Sequence, residues 1–218
     1  MAAELTLERP TLYVEGEDDA HAIIHLLAQH GIELDRDAGP VYVRAVGSDS
    51  QLMKTIGLAA KAAPASTVGF VVDIDTTAAQ RWQAVSSRLA PLGVKLDDML
   101  SPLGFADDAP GGRRIGAWMM PDNKRNGGCL EHLLDELIPA GNPIRPFAEE
   151  ATDRAQALGA PFPEKYRLKA IIRAWLAWQE EPGVAYGTAI KAGFLHSDSR
   201  LVREFVDWFR KLYEPHLH

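Results

Sequence analysis

The sequence has a single cysteine, Cys129, among 218 residues. An internal disulfide, a zinc ribbon and a thiol redox pair are therefore excluded, and any metal chemistry must draw on oxygen ligands or histidine. Histidine offers little. His21 and His25 stand four apart on a predicted helix, but no third ligand and no His-Glu-x-x-His spacing accompanies them. His216 and His218 fall at the chain end and are expected to be disordered. No apolar run approaches the ~18 residues that a membrane span needs. The opening MAAELTLERP lacks the basic flank and apolar stretch of a signal peptide, so a cytoplasmic protein with no membrane partner is expected. A Gly-rich phosphate loop and a nucleophilic serine elbow are also missing. Nor is there a basic excess: 23 Lys and Arg against 30 Asp and Glu leave a net charge of −7. That balance argues against a general nucleic-acid coat protein, whose affinity comes from cations neutralising phosphates. A nuclease is still allowed, because a carboxylate-rich active site adds to such a balance and bound divalent ions reverse the local sign.

What is present is a regular alternation of strands and helices in a chain that is 46% hydrophobic. Thr11-Leu12-Tyr13-Val14 is β-branched and aromatic and runs into Glu15-Gly16, as a buried strand ending in a turn would. Ala20, Ile23, Ile24 and Leu27 follow at helical spacing, with Gly31 as the stop. Val41 to Val46 is a second strand; Gly47-Ser48-Asp49 is turn and cap chemistry before a helix carrying Leu52, Ile56 and Ala59. Val68-Gly69-Phe70-Val71-Val72 is the continuous apolar run of a strand covered on both faces, and it ends at Asp73-Ile74-Asp75. A helix over 77–89, a Gly/Pro/Asp-rich stretch over 104–112, a fourth strand over 115–120 and a helix with Leu130, Leu133, Leu134 and Leu137 on one face complete the pattern. The expected fold is α/β, a parallel four-stranded sheet flanked by helices and joined by right-handed crossovers. The segment 1–140 would be the main domain. Five prolines over 139–163 and little periodicity mark 141–163 as a connector, and 164–218 as a C-terminal helical extension, with helices over 165–178 and 198–213 packed back on the domain. The five tryptophans are expected in the core.

Acidic residues sit where strands end: Glu15 with Asp19, Asp73 with Asp75, and Asp122 followed by Glu131. Ligands of open parallel sheets gather outside the carboxyl ends of the strands, so these groups can converge. Hard divalent ions such as Mg²⁺ or Mn²⁺ would offset their repulsion. Each residue also has an ordinary explanation. Asp18 or Asp19 at a helix start is a cap, Asp75 before Thr76-Thr77 is another, and Glu131 is a solvated helix edge. Lys165, Lys169 and Arg173, at i, i+4 and i+8, form a basic stripe that either binds a substrate phosphate or simply faces water.

Strand-Glu15-Gly16-x-x-Asp19 followed by strand-Asp73-x-Asp75 resembles the Toprim domain, over roughly residues 10–140. That domain is shared by topoisomerases, bacterial primases, small RNA-maturation nucleases and the OLD-family (overcoming lysogenization defect) nucleases. Met120-Pro121-Asp122-Asn123, Gly128-Cys129-Leu130-Glu131 and Lys169-Ala170 through Trp178 are similar to stretches shared by a group of small Toprim-like proteins. The resemblance implies that Glu15, Asp73 and Asp75 bind Mg²⁺ and act on phosphodiester bonds. By the same likeness Glu131 is a further metal ligand and Lys169 stabilises charge on the phosphate.

The resulting expectation is a nuclease cutting DNA or RNA. Two Mg²⁺ or Mn²⁺ ions would be held by Glu15, Asp19, Asp73, Asp75 and Glu131, with Glu15 either a ligand or the general base and Lys165, Lys169 and Arg173 on the phosphate. A topoisomerase would need a tyrosine-bearing gate domain, and a bacterial primase a zinc module that one cysteine cannot supply. Two alternatives stand beside it. The chain is an effector held by a partner ATPase or as a homo-oligomer, as related OLD-type systems suggest for antiphage defence, or it is a non-catalytic subunit binding a metal or a nucleotide.

Overall fold

The computed structural model describes residues 9–34, 39–62 and 67–217. The first half alternates strand and helix: β1 (Thr11–Val14), α1 (Glu17–Ala28), β2 (Tyr42–Ala45), α2 (Asp49–Ala62), β3 (Thr67–Asp73) and α3 (Ala78–Leu89). A hairpin follows, made of β4 (Phe105–Ala109) and β5 (Arg113–Met120). The remainder is helical: α4 (Leu130–Leu137), α5 (Ile144–Ala157), α6 (Arg167–Leu176), α7 (Tyr186–Lys191) and α8 (Arg200–Tyr213). The stretch MAAELTLE and His218 lie outside the described residues.

The sheet has five strands in the order β2-β1-β3-β5-β4, where four were expected. β2, β1, β3 and β5 are parallel, and β4 runs antiparallel along the edge of β5. The Gly/Pro/Asp-rich stretch thus contains a strand. Its Asp107 and Asp108 are exposed, as an edge strand permits, and Gly111 and Gly112 turn the chain with positive φ angles.

Alternate side chains of β3 and β5 feed two cores. On one face Phe70, Val72, Ile115 and Met119 pack with Leu52, Ile56 and Trp82 of α2 and α3. On the other, Val71, Trp118 and Met120 pack with α1, α4, α6, α7 and α8. The helices beyond residue 164 therefore share one core with the sheet. α8 lies across Gly69 and Gly116: a Cβ on Gly69 would fall 2.6 Å from Tyr213 Oη, and one on Gly116 would fall 2.5 Å from a Leu212 methyl. Tyr213 Oη donates to Thr11 O at 2.7 Å and Trp208 Nε1 to Phe105 O at 2.8 Å, which fixes α8 across the sheet.

Four further expectations are revised. The segment read as a connector carries the 14-residue α5, entered through Pro143 with Pro146 in its first turn, where a missing N–H costs nothing. The helix expected from Lys165 begins at Arg167, leaving Lys165 on a 3₁₀ turn, Glu164–Tyr166. His216 is ordered, its Nε2 lying 2.9 Å from Thr67 Oγ1. Four tryptophans are buried, but Trp178 is 45% exposed and rests against Phe147 at a ring separation of 5.1 Å.

Candidate metal centre

The carboxyl ends of the parallel strands open into one cleft, lined by Glu15, Asp19, Asp73, Asp75 and Glu131, with Lys165 and Lys169 also in its wall. Backbone hydrogen bonds fix the loops that carry them. Gly47 N donates to Glu15 O at 2.7 Å, joining the loops after β1 and β2. Ile74 N donates to Gly128 O at 2.6 Å and Gly127 N to Thr76 O at 2.7 Å, which ties the Asp73-Ile74-Asp75 loop to the start of α4. Gly128 is needed there, because a Cβ would lie 2.5 Å from Pro121 Cδ and 2.6 Å from Met120 O.

Asp19 is both a cap and a cleft residue. Its Oδ2 accepts from Gly16 N at 3.1 Å, closing the first turn of α1, while its carboxyl lines the cleft. Asp75 is not the cap of α3: Thr77 takes that place and accepts from Gln80 N. Asp122 does not join the others. Its Oδ1 accepts from Lys124 N and Arg125 N, so it organises the turn after β5.

Burial and crowding disfavour negative charge on three of the cleft carboxylates, Asp73, Asp19 and Glu15. Asp73 is pushed well above the usual carboxylate range by desolvation, then by Asp19, Glu15, Glu131 and Asp75. Burial, followed by Glu131 and Glu15, raises Asp19 to about 7. Glu15 is raised by burial and then by Asp49 and Asp75. Cys129, beside Glu131 at the start of α4, is pushed up to about 12, again first by burial, which makes it a neutral wall and no nucleophile.

The basic side chains divide. Lys169 Nζ lies 3.3 Å from Glu131 Oε1, and burial, which alone would lower its pKa, is outweighed by that carboxylate. Lys165 sits 4.8 Å over the ring of Tyr166. Arg173 is outside the cleft, held 2.7 Å from Asp18 and stacked on Tyr186 at 4.0 Å. The stripe is therefore not continuous along one helix. The sequence reading also missed Asp49, which lines the cleft and pairs with the buried Arg81. Its signal is its place just after a strand, shared with Glu15 and Asp73, which the capping chemistry of Gly47-Ser48-Asp49 masks.

The donor set suits a hard cation: oxygen ligands only, with repulsion that positive charge would relieve. Among the described residues no three Asp, Glu, His or Cys side chains are drawn together closely enough to hold an ion. The carboxylates line an open cleft, and occupancy would require their side chains to turn inward.

No curated protein shows significant similarity to the chain. Among solved structures, the C-terminal region of the Xanthomonas campestris pv. campestris OLD protein matches with a TM-score of 0.53 at 13% identity, covering 98% of this chain and 100% of that one. At that identity the match concerns the fold. One family model spans residues 9–214, almost the whole length of the chain, and by it the chain belongs to the family described as protein of unknown function (DUF3226).

Proposed function

We propose that the cleft is the catalytic centre of a Toprim-like nuclease that hydrolyses phosphodiester bonds of DNA or RNA with Mg²⁺ or Mn²⁺. The observation that carries this reading is the gathering of Glu15, Asp19, Asp73, Asp75 and Glu131, from three separate segments, at the carboxyl edge of one parallel sheet. Its likeness in fold to the C-terminal region of an OLD protein supports it. These five carboxylates would hold one or two ions. Bound there, the ions would supply an activated water and stabilise the leaving oxygen. Asp19 and Asp73, whose carboxyls are raised by burial and by their acidic neighbours, would bind an ion in their deprotonated forms. Lys169 places a cation beside Glu131, where it can neutralise a phosphate that displaces that pairing. Arg173, engaged by Asp18, holds α6 against α1 and contributes to positioning. On the family resemblance we extend the proposal to an effector of antiphage defence.

A second reading has its own observation. The absence, among the described residues, of a preformed three-ligand group, with Lys169 already paired to Glu131, suits a non-catalytic or partner-regulated subunit. Cleavage of supercoiled plasmid, single-stranded DNA and structured RNA in Mn²⁺ separates the two, with a candidate ATPase added in parallel. The nuclease reading expects cutting by the wild type and none by Glu15→Ala. If metal binds but nothing is cut in any arm, the non-catalytic reading replaces it.

A further inference from the structure

A second concavity adjoins the acidic cleft, formed by Phe162, Tyr166, Lys169, Ala170 and Arg173. Tyr166 and Lys169 line both, so the two cavities share a wall. Two aromatic and two cationic side chains line the groove. Tyr166 is 47% exposed, so its ring is accessible from the groove. Lys165 covers the ring with its ammonium and belongs to the cleft but not to the groove. On the far side Arg173 is held in place by Asp18 and Tyr186, so its guanidinium needs little ordering on binding.

We propose that this groove is a nucleobase subsite: an unpaired base of a single-stranded nucleic acid stacks on Tyr166 beside Phe162, while the backbone passes over Lys169 toward the carboxylates. The proposal rests on the nuclease reading for its direction, and it names the substrate class as single strands or unpaired ends. A ring that stacks on a base is sequence-tolerant, since every base has a π-face, and the neighbouring cations track the phosphates. Paired bases are already stacked and cannot enter a groove of this kind without unpairing. The overall charge of −7 then limits nucleic-acid affinity to this local basic and aromatic strip.

The test is fluorescence anisotropy with labelled oligothymidylate, oligouridylate and a blunt duplex of equal length, in EDTA and in non-cleaving Ca²⁺. Wild type should bind both single strands more tightly than the duplex. Tyr166→Ala should weaken single-strand binding roughly 5- to 150-fold, the size of one base–aromatic stack, and leave duplex binding unchanged. Tyr166→Phe should bind like wild type, and Phe162→Ala should fall between. A preference confined to one of the two single strands would support the subsite. Equal binding by Tyr166→Ala and wild type, tighter binding of duplex, or no binding of any strand would overturn it. Binding is read without turnover, so an inactive but base-binding protein would count against the nuclease reading alone, and an active one indifferent to Tyr166 against the subsite alone.

Discussion

Asp19 shows how one residue can satisfy an ordinary explanation and a functional one together, since it closes the first turn of α1 and presents a carboxyl to the cleft. The cap favours its charge; burial, Glu131 and Glu15 oppose it more strongly and raise it to about 7. Ion binding must then displace protons. Mn²⁺ affinity, measured by titration calorimetry between pH 6 and 8, is expected to rise with pH, by about tenfold per unit for each proton displaced. An affinity independent of pH, with no heat varying with buffer, would contradict that. Lys169 makes a separate claim. Lys169→Ala should leave metal binding nearly intact and lower turnover by roughly a hundredfold, about 3 kcal/mol of transition-state stabilisation. Cleavage at the wild-type rate would remove the lysine and leave the carboxylates. Glu15, Asp73 and Asp75 were legible in the sequence because each follows a strand whose residues leave little doubt of strand structure. Asp49 follows the same rule after β2, yet Gly47-Ser48-Asp49 is equally good capping chemistry, and only its pairing with Arg81 and place in the cleft distinguish it. Tyr166 had no such signal: exposure of a ring is a tertiary property.

Among the elements, the parallel strands and the helices between them were legible from apolar periodicity, whereas β4, α5 and α7 were not. β4 is an edge strand, and its exposed Asp107-Asp108 breaks the alternation a half-buried strand would show. Prolines hide α5 only because they occupy its first turn, and α7 has just six residues, too few for a helical period to emerge. What fixes α8 was legible least of all, because it depends on glycines in strands that it crosses. Gly69→Ala should therefore destabilise the protein by about 1–3 kcal/mol through overpacking against Tyr213, Leu12 and Leu212. The midpoint of urea unfolding would fall with little change in slope. At α3, Thr77→Ala removes the hydroxyl that accepts from Gln80 N and should cost ~1 kcal/mol by the same assay. A neutral Gly69→Ala would mean that α8 does not pack as described.

For the whole molecule, the fold concentrates repulsion at one edge of the sheet and surrounds it with two cores, so that stability and metal affinity become coupled. Without metal, the raised Asp19 and Asp73 bind protons in the folded state that the unfolded chain has already lost. Their contribution is greatest below the ordinary aspartate range and declines as pH rises from about 4 through about 7, so metal-free stability should fall over that interval. A cation bound only by the folded state reverses the loss. The measurement that bears most directly on the cleft is the melting temperature at pH 8, in EDTA and in millimolar Mn²⁺, for wild type and for Asp73→Asn with Asp75→Asn. Wild type should melt several degrees higher in Mn²⁺, and the double variant should melt slightly above wild type in EDTA and show no response to the ion. Identical wild-type curves in EDTA and Mn²⁺, or an equal rise in the double variant, would contradict a metal centre formed by these carboxylates.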